Sequence, residues 1–139
     1  MRILIDTNIW ISAAFWRRGN PRRLVDKLGE LKPPPVVLMD AWLYGELLET
    51  FEYIRQRYRL PRKEIVLELD RIRKRTTWVT VTSAVTGSRD VTDNPMLSLT
   101  KDGGADYLIT GDQDLAVLKR FGKTRIIRAA KFIEKNFPT

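Results

Sequence analysis

Five short apolar runs punctuate the chain, each the length of a buried strand rather than of a helix. They are Arg2-Ile3-Leu4-Ile5, Val36-Val37-Leu38-Met39, Trp78-Val79-Thr80-Val81-Thr82, Tyr107-Leu108-Ile109-Thr110 and Arg125-Ile126-Ile127. Most are continuously apolar rather than alternating, the pattern of strands covered on both faces. Helical stretches separate them. Ile9, Trp10, Ala13 and Ala14 share one helical face between Thr7 and Phe15. Asn20 and Pro21 make a helix start, as N-cap and first residue, for a face of Leu24, Val25, Leu28 and Leu31 that ends at Lys32-Pro33-Pro34-Pro35. Asp40 can cap a helix whose apolar face is Leu43, Leu47, Leu48, Phe51 and Ile54.

Pro61 sits at the first position of a further helix, with Ile65, Leu69 and Ile72 inward and arginines outward. A loop follows the third strand through Thr86-Gly87-Ser88-Arg89, and helix signals resume at Thr92-Asp93-Asn94-Pro95 until Gly103-Gly104. Asp112 or Asp114 starts a helix carrying Leu115, Leu118 and Phe121, and a terminal helix carries Phe132, Ile133 and Phe137. Strand and helix thus alternate from end to end. That order predicts an α/β domain of three layers, α/β/α, around a central parallel five-stranded sheet. With 139 residues and no linker or repeat, the expected organisation is one domain spanning 1–139.

The composition removes most chemistries. The chain has neither cysteine nor histidine. That excludes disulfides, thiolate nucleophiles, imidazole acid–base catalysis and zinc sites built on His or Cys. Carboxylates, hydroxyls, lysine, arginine or an oxygen-bound hard metal remain. No apolar run approaches the ~20 residues of a membrane span. The N-terminal apolar segment meets Asp6 after three residues, too early for a signal peptide. The expectation is a soluble, cytoplasmic protein with no membrane partner.

The net charge of +8 is unevenly spread. Residues 53–75 carry nine basic side chains against three acids, and residues 119–135 carry seven against one. The remainder is acidic overall, at −4. Two basic blocks beside concentrated acids suit a surface that binds a phosphate backbone and also holds cations.

Ligands in open α/β sheets bind outside the carboxyl ends of the strands. Asp6 follows the first strand, Asp112 the fourth, and Asp93 stands at the helix entry after the third. Glu46 lies on the helix after the second, at the edge of its apolar face, with Glu49 and Glu52 turned more to solvent. Any one of the aspartates reads equally well as a helix cap, and Glu46 as a surface residue. Together at one sheet edge they would repel one another and call for a cation. All-oxygen ligation suits Mg2+ or Mn2+.

Several nearby folds do not fit. A haloacid-dehalogenase-type phosphatase needs a second Asp where Asn8 stands, and a dinucleotide-binding domain needs a Gly-rich turn where Asp6-Thr7-Asn8 stands. A receiver domain places an acidic pair before its phosphoacceptor strand and needs a late lysine at a set position, which is not found here.

The ordered set Ile3-Leu4-Ile5-Asp6-Thr7-Asn8, Glu46-Leu47, Asp93-Asn94 and Ala105-Asp106-Tyr107-Leu108-Ile109-Thr110-Gly111-Asp112-Gln113-Asp114-Leu115 resembles the PIN domain. It is most similar to the single-domain prokaryotic PIN proteins described as VapC-type toxins. The resemblance implies a metal-dependent ribonuclease acting through Asp6, Glu46, Asp93 and Asp112, with one or two Mg2+ or Mn2+ ions and Asp114 as a further ligand candidate. It implies supporting roles for Thr7, Asn8, Asp90 and Thr110, Thr7 supplying a hydroxyl to the first aspartate. Asp90 competes with Asp93 as the third ligand, because the loop departs from the pattern common in relatives.

Arg17, Arg18, Arg55, Arg59, Arg62, Lys119 and Arg120 are the expected RNA contacts. Trp10, Trp16, Trp42 and Tyr44 are candidates for base stacking, with core or interface packing the stronger reading for Trp10 and Trp42. The resemblance further implies RNA as substrate, a small antitoxin as partner, and a homodimer. Phe15, Trp16 and Tyr53 are candidates for an interface. The alternative is a catalytically silent PIN fold that binds RNA or serves assembly.

Overall fold

Ile3, Leu4 and Ile5 of β1 (Arg2–Ile5) are wholly buried, as a strand packed on both faces must be. The computed structural model describes residues 1–86 and 90–137. β1 pairs in parallel with β2 (Val36–Met39) on one side and with β4 (Tyr107–Ile109) on the other. β2 is extended by β3 (Thr77–Trp78), and β4 by β6 (Thr124–Ile127) and then β5 (Arg120–Phe121). The sheet order is β3-β2-β1-β4-β6-β5. Helices α1 (Thr7–Phe15), α2 (Asn20–Lys27), α3 (Ala41–Tyr58), α4 (Arg62–Arg75), α5 (Asn94–Asp102), α6 (Gln113–Ala116) and α7 (Ala129–Asn136) link the strands and flank the sheet. One apolar cluster joins the strands to Trp10, Leu43, Leu47, Phe51, Leu99 and Phe132.

The expected α/β class and parallel core are present, but the sheet has six strands, not five, and one pair is antiparallel. The extra strand is β5. The helix expected to run from Asp112 through Phe121 stops at Ala116, and the chain turns back as a β5–β6 hairpin. Gly122, at φ +58, takes the first turn position, where a side chain would be strained. The expected third strand, Trp78–Thr82, is also shorter and shifted. Thr77 and Trp78 pair with Leu38 and Met39, after which the chain leaves the sheet. Asp102 draws it away, accepting from the Thr82 and Ser83 amides at 2.6 and 2.8 Å.

Smaller shifts concern the helix ends. Gly19 is the N-cap of α2 and Asn20 its first residue, while Pro61 caps α4 instead of opening it. Asp40 caps α3 as expected, accepting from the Leu43 amide at 2.8 Å. The fourth strand closes one residue early, at Ile109, and the last begins one residue early, at Thr124. Of the expected loop at Thr86-Gly87-Ser88-Arg89, the last three residues lie outside the described residues. Trp10 is 1% exposed and belongs to the core, which rules it out as a stacking platform. Among the described residues no helix is long and apolar enough to cross a membrane.

Candidate active site

From β1 the chain runs outward to β2 and β3, then crosses back to β4 on the other side of β1. The switch point of the sheet therefore lies between the carboxyl ends of β1 and β4, where a crevice is unavoidable. Asp6 closes β1 at this point, its amide donating to the Ile109 carbonyl at 3.0 Å. Thr110, fully buried at the end of β4, donates its hydroxyl to Asp6 Oδ2 at 2.6 Å and accepts from the Asp112 amide at 3.0 Å. One threonine thus fixes two of the expected acids.

A cleft of about 490 Å³ opens above this crevice, and Asp6, Glu46, Asp93 and Asp112 all line it. Thr7, Asn8 and Thr92 line it as well, and Trp42, Met96 and Leu115 complete its apolar wall. Asp93 reaches the cleft from a short 3-10 turn, Val91–Asp93, that leads into α5. Glu46 reaches it from the exposed side of α3.

The electrostatics set this place apart. Burial is the main influence on Asp6, raising its carboxyl; the Thr110 hydroxyl and Thr7 amide oppose it, and Asp112 adds to it. Burial, followed by the neighbouring Asp112 carboxylate, pushes Asp93 up to about 7. Asp90 and Asp6 contribute in the same sense. No lysine or arginine among the described residues lines the cleft to offset them.

Of the two candidates for the third ligand, Asp93 lines the cleft and is 9% exposed. Asp90 instead caps the 3-10 turn, accepting from the Thr92 amide and hydroxyl at 3.0 and 2.8 Å, which lowers its carboxyl. Asp114 does not line the cleft; its amide donates to Asp112 Oδ1 at 2.8 Å. The support expected from the Thr7 hydroxyl comes from elsewhere: the hydroxyl on Asp6 is that of Thr110, and Thr7 supplies its amide.

The basic residues do not gather here. Arg17 and Arg18 are exposed between α1 and α2, Arg59 and Arg62 at the α3–α4 junction, and Lys119 and Arg120 at β5. Arg55 is held by Glu52 at 2.6 Å. Trp42 also lines the cleft, although a tryptophan on a helix reads first as core.

An all-oxygen donor set without histidine or cysteine, crowded until burial and repulsion raise two of its members, matches a hard divalent cation in chemistry. Among the described residues no three carboxylates converge on one point as they stand. Holding an ion therefore entails drawing the acids of the cleft together.

Fold and cleft define an open, switch-point α/β domain with an acidic centre. A family model for the PIN domain matches residues 2–114, and the chain belongs to the PIN domain family. Solved structures share its fold. PAE2754 from Pyrobaculum aerophilum is similar with a TM-score of 0.66 and 12% identity, over 100% of this chain and 91% of that one. VapBC2 from Rickettsia felis, solved on a DNA fragment from its promoter, is similar at 0.63 and 13%, over 91% and 97%. Mycobacterium tuberculosis VapC20, a toxin that cleaves the sarcin–ricin loop, is similar at 0.54 and 18%, over 88% and 98%. No curated protein sequence matches significantly.

Proposed function

We propose that the protein is a divalent-metal-dependent endoribonuclease, the toxin of a toxin–antitoxin pair. The observation that carries this reading is the assembly of Asp6, Glu46, Asp93 and Asp112 in one cleft at the switch point, with no lysine or arginine among the described residues lining it. Membership of the PIN domain family and the fold shared with VapC20 and VapBC2 support it.

In this reading Asp6, Asp93 and Asp112 would hold Mg2+ or Mn2+, with Glu46, which lines the same cleft, as a further ligand for one ion or two. A bound cation supplies Lewis-acid polarisation of the phosphoryl group. Thr110 keeps Asp6 and Asp112 in register, and Asp90 shapes the turn that presents Asp93. Asn8 lines the rim, and Asp114 supports the Asp112 turn. Arg17, Arg18, Arg55, Arg59, Arg62, Lys119 and Arg120 bind flanking phosphates outside the cleft, making affinity fall steeply with salt. A small antitoxin and a second copy of the chain are the protein partners.

The test is cleavage of a panel of RNAs with Mg2+, Mn2+ or EDTA, beside Asp6→Asn and Asp93→Asn. Metal-dependent cleavage that both variants lose is the expected result. Undiminished cleavage in EDTA or in Asp6→Asn would overturn the assignment. RNA binding without cleavage in any metal would instead identify a silent binding module.

A further inference from the structure

A second cleft, of about 530 Å³, opens beside the first at the carboxyl ends of β2 and β3. The two clefts share Trp42 and Pro95, so they form one path along the sheet edge. Trp42 lines both clefts and Trp78 lines the second. Trp78 is 48% exposed, and Tyr44 braces it with ring centroids 5.6 Å apart. An exposed indole held in place beside a cleft is a ready stacking surface.

Asp40 is the polar group of this cleft. It is 6% exposed, and its Oδ1 accepts from the Leu43 amide. The other carboxylate oxygen takes no hydrogen bond from a described residue. That oxygen is also not sealed from solvent, because the one sealed, unpartnered side-chain atom among the described residues is Trp10 Nε1. A largely buried carboxylate with one oxygen open to the cleft is free to accept from a donor on a bound ligand.

We propose that this second cleft is a nucleobase subsite that takes one unpaired guanine of the RNA strand whose phosphate lies at the neighbouring acids. The inference rests on the ribonuclease reading and adds its base preference. Stacking against the indoles accepts any base. The carboxylate discriminates. Guanine presents N1–H and N2–H side by side, two donors for one acceptor group. Adenine and cytosine present one amino group beside a ring-nitrogen acceptor, and the single N3–H of uracil lies between two carbonyl oxygens that repel a carboxylate.

The decisive experiment measures binding, so it does not depend on cleavage. Short labelled uridine-rich RNAs carrying one central guanosine, inosine, adenosine or cytidine are titrated with the full chain in EDTA, by fluorescence anisotropy. The guanosine RNA binds on the order of tenfold tighter than all-uridine RNA, with inosine between them because it lacks the 2-amino group. Asp40→Asn keeps a good capping oxygen for α3 but turns a donor toward the base, so the guanine preference disappears. Trp78→Ala weakens every RNA by about tenfold without changing their order. Circular dichroism and melting temperature confirm that both variants fold.

RNA binding without base preference, or a guanine preference that survives Asp40→Asn, overturns the subsite and leaves the nuclease assignment standing. An absence of RNA binding in EDTA overturns the subsite, while the nuclease assignment is decided by the cleavage panel in Mg2+ and Mn2+. A purely structural role for Asp40 would change the melting temperature and not the order of the bases.

Discussion

The protein treats its carboxylates in two opposite ways. On the outer surfaces of α3 and α4, Glu52, Glu68 and Asp70 are each paired one turn away, to Arg55, Arg71 and Lys74. Arg55, aided by Gln56, pulls Glu52 down to about 2. In the cleft, Asp6 and Asp93 are pushed the other way, by burial first and then, among the described residues, by other acids. The chain carries 25 lysines and arginines, so cations are not scarce. They are placed elsewhere. A basic protein in which no described lysine or arginine lines the acidic cleft leaves that charge to be balanced by something it binds.

The sharpest way to break the contrast is to neutralise the cleft. Asp93→Asn should lower metal-dependent RNA cleavage by at least about a hundredfold, since even groups that only support a metal ligand give losses of ~10–100-fold. The same variant should melt higher than wild type in EDTA at neutral pH, because it removes a carboxyl whose ionised form is disfavoured by burial and by the neighbouring Asp112. Cleavage rates and melting curves measured on one preparation test both halves. A variant that lost both stability and activity would show Asp93 to be structural.

Thr110→Val comes next. It removes the hydroxyl that donates to Asp6 and accepts from the Asp112 amide. The expected cost is about 1–3 kcal/mol in urea unfolding, with a ~10-fold or greater weakening of metal affinity by calorimetry.

The pH dependence is smaller and its sign is fixed by the two regions. A carboxyl raised to about 7 in the folded state favours folding while protonated, and that contribution is lost as pH rises from its ordinary value through about 7. Glu52 and Asp102, each lowered to about 2, act oppositely: their contribution is present above the ordinary carboxylate range and is lost as pH falls through about 2. Metal-free protein should therefore melt higher at about pH 5 than at about pH 8, and Mg2+ should raise the melting temperature more at about pH 8. Equal Mg2+ shifts at both values would detach the cleft from cation binding. Glu52→Gln marks the floor of the series, lowering the melting temperature only slightly and leaving the cleavage rate unchanged, as an exposed helical pair should.

How much of this was legible in the sequence follows the same division. The buried strands and the faces of α3 and α4 announce themselves, because continuous or 3.6-periodic apolar residues have few alternative placements. Asp6 and Asp112 were visible because each directly follows or closely trails such a strand. Thr110 was legible as a neighbour, but its bridging of two acids requires the β1–β4 pairing, which joins residues 104 apart. The β5 hairpin was hidden because Leu115, Leu118 and Phe121 mimic a helical face, and only the positive φ at Gly122 settles the turn. The Trp78 strand was misjudged in length because Asp102, distant in sequence, captures the residues after it. Asp40 read as a cap and is one; its second oxygen becomes meaningful only beside the tryptophans.

The two ends of the sheet carry a last consequence. Both edge strands, β3 and β5, are two residues long, and the longer strands lie inside. An edge that short offers too few free amides and carbonyls to template another strand. Sheet-to-sheet growth, whether into an oligomer or an aggregate, is closed at both margins. The surface left for contact is then that of helices and side chains, where Trp16 and Tyr53 are 58% and 65% exposed.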